Sequence, residues 1–181
     1  MAWNVKKTIV LIGMMGAGKS AVGKALANRL DVGFRDSDAE IERAAAMTIP
    51  EIFERDGEPF FRAREAQVIE RLLQSHHGVL STGGGAFMSA ETRTNITRLG
   101  VSVWLNAPLE TLWNRVRHKE SRPLLRTADP KGTLTALYEK RTPVYALADI
   151  LVAVQPKWSV EDTTSAVVAA LKTRPDVLEE L

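Results

Sequence analysis

The sequence predicts an α/β fold of three layers, a five-stranded parallel sheet flanked by helices and built around a P-loop. Three observations carry this. Residues Gly13-Met14-Met15-Gly16-Ala17-Gly18-Lys19-Ser20 fit G-x-x-x-x-G-K-[ST], the pattern of a phosphate-cradling loop. Short β-type runs alternate with helical stretches along the chain, the pattern of a parallel sheet with helices on both faces. The 181 residues, 45% of them hydrophobic, suffice for one domain, 1–181, with a sizeable core.

The first element is Thr8–Ile12, short, apolar and mostly β-branched, which reads as a buried strand. The glycine loop follows. Glycines let it curl so that backbone N–H groups point inward at phosphate oxygens. Val22, Leu26 and Leu30 lie four apart and read as one face of a helix over about 20–30. The positive end of that helix also faces the phosphates. On this pattern Lys19 reaches the β- and γ-phosphates and the Ser20 hydroxyl ligates Mg²⁺. A glycine-rich turn without a ligand is the bland alternative, and the flanking strand and helix count against it.

Further strands are expected at Gly33–Arg35, Val79–Ser81, Val101–Leu105 and Ile150–Val154. Helical patterns fall at about 38–46, 49–55, 60–74, 89–98, 108–117, 133–147 and 160–172. Residues 118–132 hold Pro123, Pro130 and Gly132 among polar and basic residues, and read as a mobile lid or a plain surface excursion. Residues 174–181 hold Pro175 and acids, and are expected to fray.

Composition excludes several classes. The net charge of +2 and the absence of any Lys/Arg-rich run argue against a nucleic-acid partner. No apolar run approaches the roughly 18 residues of a membrane span. The chain has no cysteine, which removes disulfides, thiol catalysis and cysteine metal sites and fits a cytoplasmic location. Lys6-Lys7, the apolar run after it and Ala25-Leu26-Ala27 mimic a secretion signal, but Lys19 interrupts the pattern. No heptad repeat argues for a coiled-coil dimer, so a monomer is expected.

Other segments are informative together. They are Asp36-Ser37-Asp38 after the second strand, Ile49 to Phe53 followed by Gly57-Glu58 and Phe61-Arg62, and Gly83-Gly84-Gly85. Arg122-Pro123-Leu124-Leu125 and Arg141-Thr142-Pro143-Val144-Tyr145 complete the set. In this order and spacing, from about Thr8 to Leu171, the chain resembles the shikimate kinases. The resemblance implies a P-loop kinase fold. It implies transfer of the ATP γ-phosphate to the 3-hydroxyl of shikimate, giving shikimate 3-phosphate and ADP on the way to chorismate and aromatic amino acids.

By this resemblance Gly16, Ala17, Gly18, Lys19, Ser20 and Ala21 bind the nucleotide. Ser20 and Asp36 hold Mg²⁺, Asp36 through water, since the strand before the glycine run ends without an acid. Asp38 binds substrate hydroxyls and could accept a proton, a modest role because phosphoryl transfer depends mainly on positioning and charge stabilisation. Arg62 and Arg141 clamp the shikimate carboxylate, for which planar guanidinium groups are suited. Gly84 gives a backbone N–H to the substrate. Arg122 enters from the lid to stabilise the transferring phosphate, with Arg126 a lesser helper. Lys157 packs on adenine, with Gln155 its rival.

Each residue has a plainer local reading. Ser37 or Asp38 could cap a helix. Arg62 could sit on a solvated helix face. The three glycines could form a flexible turn, and Arg122 could be a solvated loop residue. His76, His77 and His118 have no metal-ligand spacing, and Trp104, Trp113 and Trp158 read as packing residues. Gluconate kinase is the nearest rival function, and a P-loop switch protein is a rival from another class.

Overall fold

The computed structural model describes residues 1–75, 77–118 and 125–181. Arg122, Pro123, Leu124 and His76 lie outside the described residues, as does most of the first half of the expected lid.

Seven strands and eight helices alternate among the described residues. They are β1 Trp3–Val5, β2 Thr8–Ile12, α1 Lys19–Leu30, β3 Gly33–Asp36, α2 Ser37–Ala45, α3 Ile49–Asp56, α4 Glu58–Ser75 and β4 Gly78–Ser81. After a short 3₁₀ turn come α5 Ala90–Leu99, β5 Gly100–Asn106, α6 Leu109–Val116, α7 Pro130–Tyr145, β6 Ile150–Ala153, α8 Val160–Leu171 and β7 Leu178–Glu180.

The main sheet has the order β3-β4-β2-β5-β6, every pairing parallel. All five residues of β2 are buried, as a strand covered on both faces requires. The chain leaves β2 toward β3 on one side and later returns to β5 on the other. That order reversal opens a crevice at the strand ends, where open α/β sheets bind ligands.

Local chemistry sets the helix boundaries. The α2 cap is Asp36, whose Oδ1 accepts from Asp38 N and Ala39 N. The plainer reading, in which Ser37 or Asp38 caps the helix, therefore does not hold. Ser159 and Asp162 form a reciprocal capping box at α8. Asp129 caps α7 and Pro130 occupies its first turn, so a helix claims the end of the expected lid.

The chain termini depart furthest from expectation. Residues 174–181 do not fray. In them β7 pairs antiparallel with β1, and Val177 and Leu178 are buried. Ion pairs Lys6–Glu179 (3.0 Å) and Lys7–Asp176 (3.4 Å) tie the same two segments. Three-residue strands, one reading Leu-Glu-Glu, leave no period-2 signal to detect.

Candidate active site

The loop between β2 and α1 is held by its glycines and by Lys19. Gly16 and Gly18 have φ of 86° and 93°, the left-handed region open chiefly to glycine. A Cβ at Gly16 would also lie 2.8 Å from Val116 Cγ1, so α6 packs directly on the loop. The Lys19 ammonium donates to the carbonyls of Gly13 (2.6 Å) and Met14 (3.0 Å). Arg115 of α6 donates to the carbonyl of Gly16 (2.9 Å). Two cations thus hold the carbonyls of Gly13, Met14 and Gly16.

The start of α1 and the end of β3 meet beside this loop. Ser20 Oγ donates to Asp36 Oδ2 at 2.8 Å. Their hard oxygen donors suit Mg²⁺, which binds proteins through one or two carboxylates or hydroxyls and completes its shell with phosphates and water. No group of three or more His, Cys, Asp or Glu with metal-binding geometry exists among the described residues.

A cleft of about 670 Å³ runs over the loop. Gly16 to Ala21 line it, with Asp36, Asp38 and Gly83-Gly84 on the acceptor side. Arg115, Trp158 and Ser159 line it as well. Lys157 and Gln155 are exposed and not part of the lining, and the Gln155 amide donates to the carbonyl of Ala153 (3.1 Å). Trp158, expected as a packing residue, does pack against the core and also lines the cleft. Arg115 carried no sequence signal, because a lone arginine in an amphipathic helix looks like any solvated one.

At the acceptor side, α2, α4, α7 and the glycine run bring four charged side chains together. Arg62 donates to Glu65 Oε1 at 2.9 Å and lies 3.4 Å from Glu58 Oε1. Glu65 and Arg141 are only 3% and 4% exposed. Glu65 Oε2 and Arg141 Nη1 are buried with no hydrogen-bond partner. Buried polar atoms are normally satisfied, so this pair is a candidate contact point for a polar ligand. Burial pushes the Glu65 carboxyl above the ordinary carboxylate range, and the neighbouring guanidinium of Arg62 pulls the other way. Glu65 is a further residue that sequence reasoning missed, since on the chain it reads as the acid of a surface ion pair.

The glycine run is explained by these neighbours. None of Gly83, Gly84 or Gly85 has a positive φ. Their role is therefore not a left-handed backbone that only glycine adopts readily. They supply space. A Cβ at Gly83 would lie 2.9 Å from Asp38 Oδ1, one at Gly84 2.9 Å from Arg141 Nη1, and one at Gly85 within 2.5 Å of Arg62 Nη1. Tyr145 secures the run by donating its hydroxyl to the Gly84 carbonyl. Burial pushes that hydroxyl's pKa up to about 12, so it remains a donor.

A phosphate-cradling loop, a Ser–Asp pair beside it and an acid-and-arginine pocket across the cleft define an ATP-dependent small-molecule kinase of the P-loop class. The family profile for shikimate kinase matches residues 15–172. The chain is 64% identical to a shikimate kinase of Ruegeria pomeroyi, over 96% of this chain and 89% of the relative. It is 61% identical to one from Cereibacter sphaeroides, over 97% and 88%. The fold superposes on a shikimate kinase from Acinetobacter baumannii in complex with shikimate with a TM-score of 0.89 and 37% identity, covering 92% and 93% of the two chains. The chain belongs to the shikimate kinase family.

Proposed function

We propose that the enzyme moves the γ-phosphoryl group of ATP to the 3-hydroxyl of shikimate, leaving ADP and shikimate 3-phosphate. The observation that supports this acceptor is the pocket of Arg62, Arg141, Glu65 and Asp38 around the glycine run. It offers guanidinium donors for a carboxylate and carboxylate acceptors for hydroxyls. The unused Arg141 Nη1 and Glu65 Oε2 are one donor and one acceptor of that kind.

The nucleotide's phosphates would lie on the loop from Gly16 to Ala21. On binding, Lys19 would exchange its carbonyl partners for phosphate oxygens. The Ser20 hydroxyl and Asp36 would hold Mg²⁺, which when bound neutralises charge on the β- and γ-phosphates. The base would lie against Arg115 and Trp158, since these line the cleft and Lys157 does not.

Arg62 and Arg141 would fix the shikimate carboxylate, and the Gly84 N–H would support the ring. That orientation turns the acceptor hydroxyl toward the loop and Asp38. As its oxygen bonds to phosphorus and the bond to the ADP oxygen breaks, Asp38 would take the hydroxyl proton. Arg122 would supply a further positive charge from the lid. A monomer and a cytoplasmic, reducing location complete the reading, the latter supported by the absence of cysteine.

The experiment is ADP release by the purified protein with Mg·ATP, alone, with shikimate and with gluconate. Stimulation by shikimate alone is expected. Stimulation by gluconate, or by neither, would overturn the acceptor assignment. Arg62→Ala should then raise KM for shikimate about 10- to 100-fold, the worth of a charge-assisted hydrogen bond, with KM for ATP unchanged.

A further inference from the structure

A second cavity, of about 340 Å³, lies between α2, α3 and α4, outside the active site. Its floor is apolar and buried, formed by Ile41, Ile52 and Val68. Its rim carries Arg55, Arg64 and Arg71, and no acidic residue lines it. The volume falls at the lower end of small-molecule sites, about 300–1,000 Å³.

The three guanidinium groups are unequally satisfied. Arg55 is paired with Asp56 at 2.8 Å. Among the described residues Arg64 donates only to the neutral Gln67 Oε1 (3.1 Å), and it lies 5.3 Å from the centre of the Phe60 ring. Arg71 makes no side-chain hydrogen bond or ion pair among the described residues. Phe60 itself is 39% exposed, with the Arg64 guanidinium over its ring, and Arg71 lies about three helical turns further along the same cavity wall. An aromatic face, an apolar floor and two guanidinium donors match a ligand with a flat apolar body and a carboxylate.

The site shares its walls with the acceptor pocket. Phe60, Arg64, Gln67 and Arg71 fall on one stripe of α4, at helical spacing. Arg62 and Glu65 lie on another face of the same helix, and Asp38 lies in the first turn of α2, which supplies Ile41. A ligand wedged between α2 and α4 would favour one spacing of these helices, and that spacing sets the distance between Asp38 and Arg62.

We propose that this groove binds a small organic carboxylate with a flat apolar body, and that its occupancy changes the affinity of the acceptor pocket. By linkage, the acceptor would then change the affinity of the groove by the same factor. The coupling rests on the proposed function, whereas binding in the groove does not.

The test is an NMR titration of ¹⁵N-labelled protein, holding saturating shikimate, with 3-phenylpropionate and, separately, its uncharged amide. The same titrations are run on the double variant Arg64→Gln/Arg71→Gln. Amide shifts centred on α2–α4 with a Kd of about 1 mM or tighter are expected, and at least about tenfold weaker binding by the uncharged amide and by the variant. No shifts up to about 10 mM, equal binding of the amide, or unchanged binding by the variant would overturn the site. In the wild type, saturating phenylpropionate should shift KM for the acceptor by about twofold or more, with no shift in the variant. Binding with an unmoved KM would overturn the coupling. If shikimate proves not to be the acceptor, the groove is still tested by the variant and the amide, so the two failures are distinguishable.

Discussion

The Ser20 hydroxyl donates a 2.8 Å hydrogen bond to Asp36 Oδ2, joining the first turn of α1 to the end of β3. The other oxygen of Asp36 caps α2 through Asp38 N at 2.9 Å. One carboxylate therefore orients the hydroxyl beside the phosphate loop and also caps the helix whose first turn carries Asp38.

These two duties separate by substitution. Asn caps helices about as well as Asp, whereas Ala loses about 1 kcal/mol. Asp36→Asn should keep the melting temperature near wild type but lower kcat about 100-fold or more, a loss typical of removing an electrostatic contact to a transition state. Asp36→Ala should lose both. Wild-type turnover by Asp36→Asn would remove Asp36 from the metal site.

Gly85 and Arg62 are in contact so close that a side chain at 85 cannot coexist with the observed guanidinium position. Gly85→Ala should displace Arg62 and raise KM for shikimate about tenfold, an effect of the size overpacking produces. KM for ATP should stay unchanged, because the nucleotide loop lies elsewhere. Steady-state kinetics with each substrate varied in turn decides it. Equal changes in both constants would point to general disruption instead.

The Glu65 carboxyl titrates above its usual 4.5 because burial penalises its charge. The folded state then holds the proton more tightly than the unfolded state. The stability associated with protonated Glu65 is fully present below about pH 4.5 and is lost as pH rises through the raised folded value. Denaturation of wild type and Glu65→Gln across this window should show the wild type losing stability relative to the variant as pH increases. Parallel curves would show that Glu65 is not perturbed.

The C-terminal strand is a structural element rather than an appendage. Leu178 is 3% exposed and paired with Val5. Leu178→Ala should cost about 2 kcal/mol or more, and each kcal/mol lowers Tm by about 2–4 °C at this size. An unchanged Tm would mean that β7 frays in solution.

Much of the fold was legible. The run Thr8–Ile12 is apolar throughout because its strand is covered on both faces, and it was read with the bounds observed. Helices α1, α4 and α8 have apolar periods long enough to read. β1 and β7 were not legible, since each is three residues long and finds its partner more than 170 residues away. In the site, the loop from Gly16 to Ala21 was legible because phosphate binding forces a contiguous backbone pattern. Arg115, Glu65 and Trp158 were not, because their meaning depends on which element faces them.

The sequence by itself determined the layered α/β architecture, the phosphate loop and the family. Each rests on residues close together or on a fixed order of motifs, which local backbone sterics and hydrophobic period dictate. Only the tertiary structure decided that Asp36 both caps α2 and meets Ser20, and that the three glycines make room for Asp38, Arg141 and Arg62. It also buried Glu65 beside Arg62 and set Arg115 and Trp158 along the cleft. These relationships follow from packing between distant segments, where steric exclusion and desolvation act on pairs that the linear chain does not join.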